Sequence, residues 1–217
     1  PFLPILLALS TSSPFWRGMN TGFSSYRLTS YDELPRTGLP PLFSDSLQYR
    51  GYIEVLREAG VIRDASCIWW AIRPSHKYPT LELRIPDACT SLEDALTVAA
   101  LYRCLVCALM ADRTINSGIN SPGRALAKEN KWRVQRFGLR AELIDPFREH
   151  PAIDAAAAAR RLVEMLHRYA GALDCLAEIE HVETILTRGT SADRQLAVYE
   201  TALACGCEHN AALQRVK

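Results

Sequence analysis

Residues 68–96, "IWWAIRPSHKYPTLELRIPDACTSLEDAL", combine two extended runs, a turn and the start of a helix. Three prolines limit the runs CIWWAIRP and TLELRIP, so the stretch predicts two short strands joined by a loop. In the second run, the two-residue period of a strand places the aliphatic side chains on one face. Glu82 and Arg84 then lie together on the other face.

These charged side chains need partners, because an unpaired charge on an apolar strand is costly to bury. Antiparallel pairing of the two runs would place Arg73, Glu82 and Arg84 on one surface of the sheet. Such a surface suits a nucleoside triphosphate, because a carboxylate binds Mg²⁺ and guanidinium groups neutralise phosphate oxygens. A structural ion pair on a solvated sheet face is the alternative, and the spacing alone does not decide between the two.

The composition of the 217-residue chain is that of an ordinary globular protein, with 48% hydrophobic residues and a net charge of +1. This charge balance argues against a nucleic-acid groove or a polybasic membrane patch. Among the seven cysteines, Cys104 and Cys107 form a CxxC pair without a second pair or a histidine at ligand spacing. We therefore expect free thiols in a reducing cytoplasm rather than a zinc site.

Helices are predicted over much of the remaining chain. The segment SLEDALTVAALYRCLVCALMA is apolar on nearly all sides and predicts a buried helix, with Thr90 and Glu93 at capping-box spacing. Residues from about 151 onward are predicted to be helical. The apolar run at the start, about nine residues long, is too short to span a bilayer and lacks the positive flank of a signal peptide. It predicts a buried helix within a longer protein.

Four segments, in order along the chain, resemble the bacterial carboxylate-amine ligases of the type-2 glutamate-cysteine ligase family. The strand pair also resembles, more distantly, the strand pair of glutamine synthetase that precedes a long helix. The segments are LSTSSPFWRGMNTGFSSYR, WWAIRPSHKYPTLELRIPDACTSLEDALTVAALYRCLV, ENKWRVQRFGL and GTSADRQLAVYE.

The resemblance implies a role for each matching charged residue. Glu82 would be a magnesium ligand at the nucleotide phosphates, and Arg84 would stabilise the transferring phosphoryl group. Arg73 would contact a nucleotide phosphate from the neighbouring strand. Arg27, at the end of the first segment, would hold the carboxylate of the substrate.

The roles of other matching positions are less specific. Arg133 and Arg136 are candidates for substrate or phosphate contact, with a structural role equally open. Asp87 is expected to cap or orient the turn that follows it. Ala71 departs from the family pattern, in which many members carry aspartate, and this departure would remove a partner of an arginine.

The implied fold is α+β, with a glutamine synthetase-like antiparallel sheet and helices packed on it. Residues 1–150 would form the C-terminal part of the catalytic domain, and residues 151–217 a helical C-terminal region of the same domain. The implied reaction is ATP-dependent amide formation through an acyl-phosphate, with ATP and Mg²⁺ as cofactors. The partners would be an amino-acid carboxylate and an amine in the cytoplasm, without nucleic acid or membrane, and homo-oligomers are possible.

A full-length member begins with a Glu-rich metal motif, G-x-E-x-E, and later has a histidine strand of the form H-V-H-V-G, and neither occurs in this sequence. We therefore expect an incomplete site and a chain that is inactive by itself. The leading alternative is a non-catalytic ligand-binding or interaction relic of the same fold. A guanidino-kinase-like phosphotransferase and a helical scaffold without a nucleotide site are further alternatives.

Overall fold

The protein has an α+β fold in a computed structural model that describes residues 1–117 and 119–216. This confirms the α+β class; the glutamine synthetase-like arrangement stays a prediction. The α-helices are α1 Leu3–Ala8, α2 Tyr26–Tyr31, α3 Ser46–Glu58, α4 Leu92–Ala111, α5 Ser121–Phe137, α6 Ala155–Ala172, α7 Leu176–Glu180, α8 Val182–Arg188, α9 Ser191–Ala204 and α10 His209–Val216. The strands are β1 Phe15–Trp16, β2 Met19–Asn20, β3 Ile72–Pro74, β4 Leu81–Leu83, β5 Glu142–Ile144 and β6 Ala152–Asp154.

The strands form three separate two-stranded antiparallel sheets, β1–β2, β3–β4 and β5–β6. The single antiparallel sheet that we expected is therefore not formed by the described residues. Each strand has only two or three residues. Near the β3–β4 pair, prolines at positions 74, 79 and 86 limit the ladder, because proline has no backbone N–H to donate.

One hydrophobic core extends from α1 to α8, across the boundary predicted near residue 150. Helix α1 lies inside it, with Ile5, Leu6 and Leu7 fully buried, as the apolar run at the start of the sequence predicts. Helix α4 passes through the core and packs against α6 and α7. By length and composition alone α4 could cross a bilayer, but residues along most of its length are buried in this core.

Two local predictions are wrong. Residues 152–154, predicted as the start of a helix, form strand β6 and pair with β5; α6 begins only at Ala155, after the N-cap Asp154. The N-cap of α4 is Ser91, whose hydroxyl accepts from the backbone N–H of Asp94, rather than Thr90. The Thr90 hydroxyl is instead engaged with α9: it donates to the Ser191 hydroxyl at 3.0 Å and accepts from Arg194 Nη2 at 3.2 Å.

The first turn of α4 carries a buried carboxylate that joins three helices. Asp94 is 2% exposed, and its Oδ1 lies 2.6 Å from Arg188 Nη2 and 3.0 Å from His181 Nε2. Arg194 Nη1 lies 3.7 Å from Oδ2. Because α8 and α9 supply the basic residues around it, Asp94 fixes the C-terminal helices on the start of α4.

Asp94→Asn should lower the free energy of unfolding by about 2 kcal/mol, because it removes the buried negative charge that pairs with the partly exposed Arg188 and Arg194. Urea unfolding at pH 7, followed by circular dichroism, measures this change. Glu180→Gln removes an exposed carboxylate from α7 and is the matched control, with an expected change below about 0.5 kcal/mol. Equal unfolding midpoints for the two variants would contradict the structural role of Asp94.

Candidate active site

The β3–β4 hairpin brings together the three charged residues that the sequence predicts to share a face. Arg73 lies directly opposite Glu82 in the antiparallel register. Glu82 Oε2 accepts from Arg73 Nε at 2.8 Å, and Glu82 Oε1 accepts from Arg84 Nη2. The carboxylate of Glu82 is therefore held between two guanidinium groups.

Arg73 has little capacity left for a ligand. Its side chain is 11% exposed, and its Nη2 lies 2.8 Å from Glu82 Oε2. Its Nη1 donates to the backbone carbonyls of Ala65, Ser66 and Ile68. Arg73 thus ties the hairpin to the preceding turn and orients Glu82; its predicted contact with phosphate stays a prediction.

Arg84 has fewer of its hydrogen-bond donors paired than Arg73 has. Its Nε is buried and has no hydrogen-bond partner among the described residues. Its backbone N–H donates to the carbonyl of Ala71 at 2.8 Å, and the register of the hairpin places Ala71 opposite Arg84. Side chains at opposite positions of an antiparallel pair are neighbours, so an aspartate at position 71 would lie beside Arg84. The register is consistent with the expectation that alanine at position 71 removes one partner of Arg84, which keeps its ion pair with Glu82.

A second buried carboxylate joins the hairpin to the segment that carries Arg27. Asp87 is 4% exposed. Its Oδ2 accepts from the backbone N–H of Ser12 at 3.0 Å and from the Ser13 hydroxyl at 2.8 Å. Its Oδ1 accepts from the Ser25 hydroxyl at 2.9 Å. Asp87 does orient its turn, as predicted, but through partners in residues 12–25 rather than as a cap of the following helix.

Arg27 lies at this junction. Its Nη1 is 3.5 Å from Asp87 Oδ1, and its Nη2 donates to the backbone carbonyl of Arg84 at 3.0 Å. The side chain of Arg27 is 38% exposed, so part of the guanidinium faces solvent. The guanidinium of Arg27 therefore lies against the backbone of Arg84, whose side chain is paired with Glu82; the binding roles predicted for these residues stay predictions.

Helix α5 adds Arg136 to the neighbouring loop. The carbonyl of Gln135 accepts from the backbone N–H groups of Ser24, at 2.8 Å, and Ser25, at 3.0 Å. The guanidinium of Arg136 lies over the ring of Phe23, 5.3 Å from its centroid. A Cβ atom at Gly22 would lie 2.6 Å from Arg136 Nη1, at the movable end of that side chain, and the φ of +72° at Gly22 is itself a conformation that favours glycine. These contacts leave the Arg136 charge next to the segment that carries Arg27.

Arg133 is directed elsewhere. Its Nε donates to Glu129 Oε1 at 3.0 Å, one turn earlier on α5. Its Nη1 donates to the carbonyl of Glu142 at 3.1 Å, at the start of β5. Arg133 therefore links α5 to the β5–β6 sheet. These contacts are those expected of a structural role.

The only cysteine in the turn between the hairpin and α4 is unsuited to nucleophilic attack. Burial, with smaller contributions from Asp94 and Asp87, raises the pKa of Cys89 to about 11. The thiol is therefore neutral near pH 7, and a neutral thiol is a poor nucleophile. Within residues 1–117 and 119–216, no group of three or more His, Cys, Asp or Glu side chains could hold a metal ion.

Sequence patterns did not identify the residues that position these arginines. Ser12, Ser13 and Ser25 bind Asp87, and Phe23 supports Arg136. The sequence feature that could have identified these residues is the serine-rich motif, because SSP and FSSYR lie on either side of the turn that packs against the hairpin. The partner of that motif, Asp87, lies more than 60 residues away and could not be identified from spacing.

Comparison with known proteins decides the family. The family model described as glutamate-cysteine ligase family 2 (GCS2) matches residues 1–216. This chain belongs to glutamate-cysteine ligase family 2. A family member from Rhodospirillum rubrum is 49% identical over 215 residues, and one from Bradyrhizobium diazoefficiens is 48% identical over 199 residues. A third, from Chloroflexus aggregans, is 42% identical over 196 residues. All three carry the provisional name glutamate–cysteine ligase 2.

The chain spans about half the length of these family members. The matches include 99%, 92% and 90% of this chain, but 55%, 46% and 50% of the three relatives. The family resemblance drawn from the motifs is thereby confirmed. The match alone does not show that this chain has the activity named for the full-length relatives.

The contacts of Arg73 and Arg84 predict different effects of substitution on stability. Arg73→Ala should lower the free energy of unfolding by about 2–3 kcal/mol, because it leaves backbone carbonyls and Glu82 without their donor. Arg84→Ala should lower it by about 1 kcal/mol or less, since Arg84 contributes one partly exposed ion pair. Urea unfolding of both variants measures the difference. An equal loss would mean that Arg84 is as much a structural residue as Arg73.

Proposed function

We propose that this chain supplies the arginine-bearing half of the active site of an ATP-dependent carboxylate-amine ligase of the glutamate–cysteine type. The observation that carries the proposal is Arg84, whose buried Nε has no partner among the described residues, beside Arg27 and Glu82. A guanidinium group with a free donor in a built cluster is suited to bind an oxyanion. Membership of a ligase family makes phosphate and carboxylate the oxyanions to test.

The proposed reaction has two steps. The carboxylate of one substrate attacks the γ-phosphorus of ATP, which forms an acyl-phosphate and releases ADP. The amine of the second substrate then attacks the acyl carbon, loses a proton, and displaces inorganic phosphate to form the amide. Phosphoryl transfer needs alignment and neutralisation of charge more than covalent help from the protein.

The arginines have distinct tasks in this proposal. Arg84 donates to the oxygens of the transferring phosphoryl group, over which the charge of the transition state is spread. Arg27 holds the α-carboxylate of the amino-acid substrate, and the exposed part of its guanidinium is the part available for this contact. Arg136, held over Phe23, contributes positive charge beside the 22–27 segment. Arg73 acts as a positioning residue that holds Glu82.

The described residues do not by themselves fit a magnesium ion. Mg²⁺ prefers six oxygen ligands, and Glu82, the predicted ligand, has both carboxylate oxygens in ion pairs with arginine. Among the residues that the structure describes, no group of three or more His, Cys, Asp or Glu side chains could hold a metal ion. The proposal therefore routes no step through a metal on this chain, and it assigns the remaining oxygen ligands to the part of the full-length ligases that this chain does not match.

A non-catalytic relic is the second candidate function. The neutralised carboxylate of Glu82 and the alanine at position 71 favour it, because both reduce the negative charge available to a metal. Such a relic would still bind an anion at Arg84 and Arg27. Binding and turnover therefore have to be measured separately.

Binding is tested on the chain as it exists. Calorimetric titration with ATP, with and without Mg²⁺, should detect binding that Arg84→Ala weakens at least about tenfold, equivalent to about 1.4 kcal/mol. Arg168→Ala is the control, because Arg168 lies on α6 and stacks on Tyr169. Equal affinity in wild type and Arg84→Ala would exclude Arg84 from the nucleotide site.

Turnover is tested in a chimaera that joins this chain to the portion of the Rhodospirillum rubrum relative that it does not match. The chimaera should release ADP when supplied with ATP, glutamate and cysteine, and the chain alone should not. Arg84→Ala in the chimaera should lower kcat by about 100-fold or more, and Arg168→Ala should leave it unchanged. A folded chimaera that binds ATP without releasing ADP would favour the relic.

A further inference from the structure

Two buried cysteines from distant parts of the chain are in contact. Cys104 lies in the middle of α4, and Cys175 is the residue immediately before α7. Their Sγ atoms are 3.5 Å apart, across 71 positions of sequence. Cys104 is fully buried and Cys175 is 7% exposed. Neither thiol takes part in the ligase chemistry proposed above.

The turn that carries Cys175 is held against α4 by other contacts. Arg103, next to Cys104, donates from Nη1 to the carbonyl of Leu173 at 3.2 Å. The backbone N–H of Cys175 donates to the carbonyl of Ala170 at 3.0 Å. The first bond joins the turn to α4 and the second joins it to α6, so the turn that carries Cys175 is fixed beside Cys104.

We propose that Cys104 and Cys175 are a redox modification site, at which a peroxide closes a disulfide between α4 and the turn before α7. A disulfide has a sulfur–sulfur distance of about 2.05 Å, so the two sulfurs must approach by about 1.5 Å. The residue before Cys175, Asp174, has a φ of +53° in the left-handed region. The short turn between α6 and α7 is the segment that moves.

The chemistry balances with hydrogen peroxide as the oxidant. The Cys175 thiol reacts first, because it keeps the only solvent exposure of the pair; it becomes a sulfenic acid and one water is released. The Cys104 sulfur then attacks the sulfenic sulfur, and its proton leaves with the hydroxyl group as a second water. Two thiols and one peroxide give one disulfide and two waters.

The environment of Cys104 determines the order of these steps. Burial, and next the contact with Cys175, raises the pKa of the Cys104 thiol. A neutral thiol reacts slowly with peroxide, so Cys104 acts as the resolving residue and not as the first target. Cys107, one turn further along α4, is partly buried and is the competitor that the experiment must exclude.

The experiment uses the full chain, reduced and then treated with hydrogen peroxide. Free thiols are blocked with N-ethylmaleimide, and tryptic peptides are analysed by mass spectrometry without reduction. Cys104 and Cys107 fall in one tryptic peptide, residues 104–113, so the mapping is repeated in Cys107→Ser. The expected product joins peptide 104–113 to peptide 169–188, is present in Cys107→Ser, and disappears on treatment with dithiothreitol.

The closed disulfide should also raise the thermal midpoint of the oxidised chain by about 5–10 °C, because it restricts a long loop in the unfolded state. Cys89→Ser should show the same rise, whereas Cys175→Ala should show none. Alkylation of both Cys104 and Cys175 after peroxide treatment would overturn the proposal, as would a bond between Cys104 and Cys107. The mapping on the unmodified chain decides the question even if an alanine variant does not fold.

Discussion

The candidate site depends on one buried carboxylate, Asp87. A carboxylate that is 4% exposed is tolerated only when its oxygens are fully satisfied, and here they accept from the backbone of Ser12 and the hydroxyls of Ser13 and Ser25. The same contacts bring the segment before α2 against the end of the hairpin. Arg27 lies two residues after Ser25, which binds Asp87, and Arg84 lies three residues before Asp87. This arrangement therefore places Arg27 beside Arg84.

The number of acceptors around each guanidinium group distinguishes the structural arginines from those that could bind substrate. Arg73 donates to three carbonyls and to Glu82, and Arg133 bridges α5 and β5. Arg84 and Arg136 have fewer acceptors: one has a buried donor without a partner among the described residues, and the other rests on an aromatic ring. The sequence predicts all of these arginines for one site. The hydrogen bonds in the fold separate those with a structural role from those that are candidates for binding.

The sequence predicted the local features well where one segment determines them. The period of two in TLELRIP gave the face of Glu82 and Arg84, and the apolar helix after Asp87 was recognised from composition. It failed where a distant residue intervenes. Thr90 has capping-box spacing, but its hydroxyl donates to Ser191 on α9. Residues 152–154 form a strand because they pair with β5. The opposition of Ala71 and Arg84 likewise needed the register, which spacing leaves open.

The last turn of α5 and the segment 24–25 share a single acceptor, the carbonyl of Gln135. Opening of this segment to solvent must break two hydrogen bonds to the same oxygen, and a displacement of α5 must carry the segment with it. The amides of Ser24 and Ser25 therefore belong to the same cooperative unit as the end of a long helix, although they lie in a loop by secondary structure. The loop that leads into α2 and Arg27 is thereby held as firmly as the end of α5, without being helical itself.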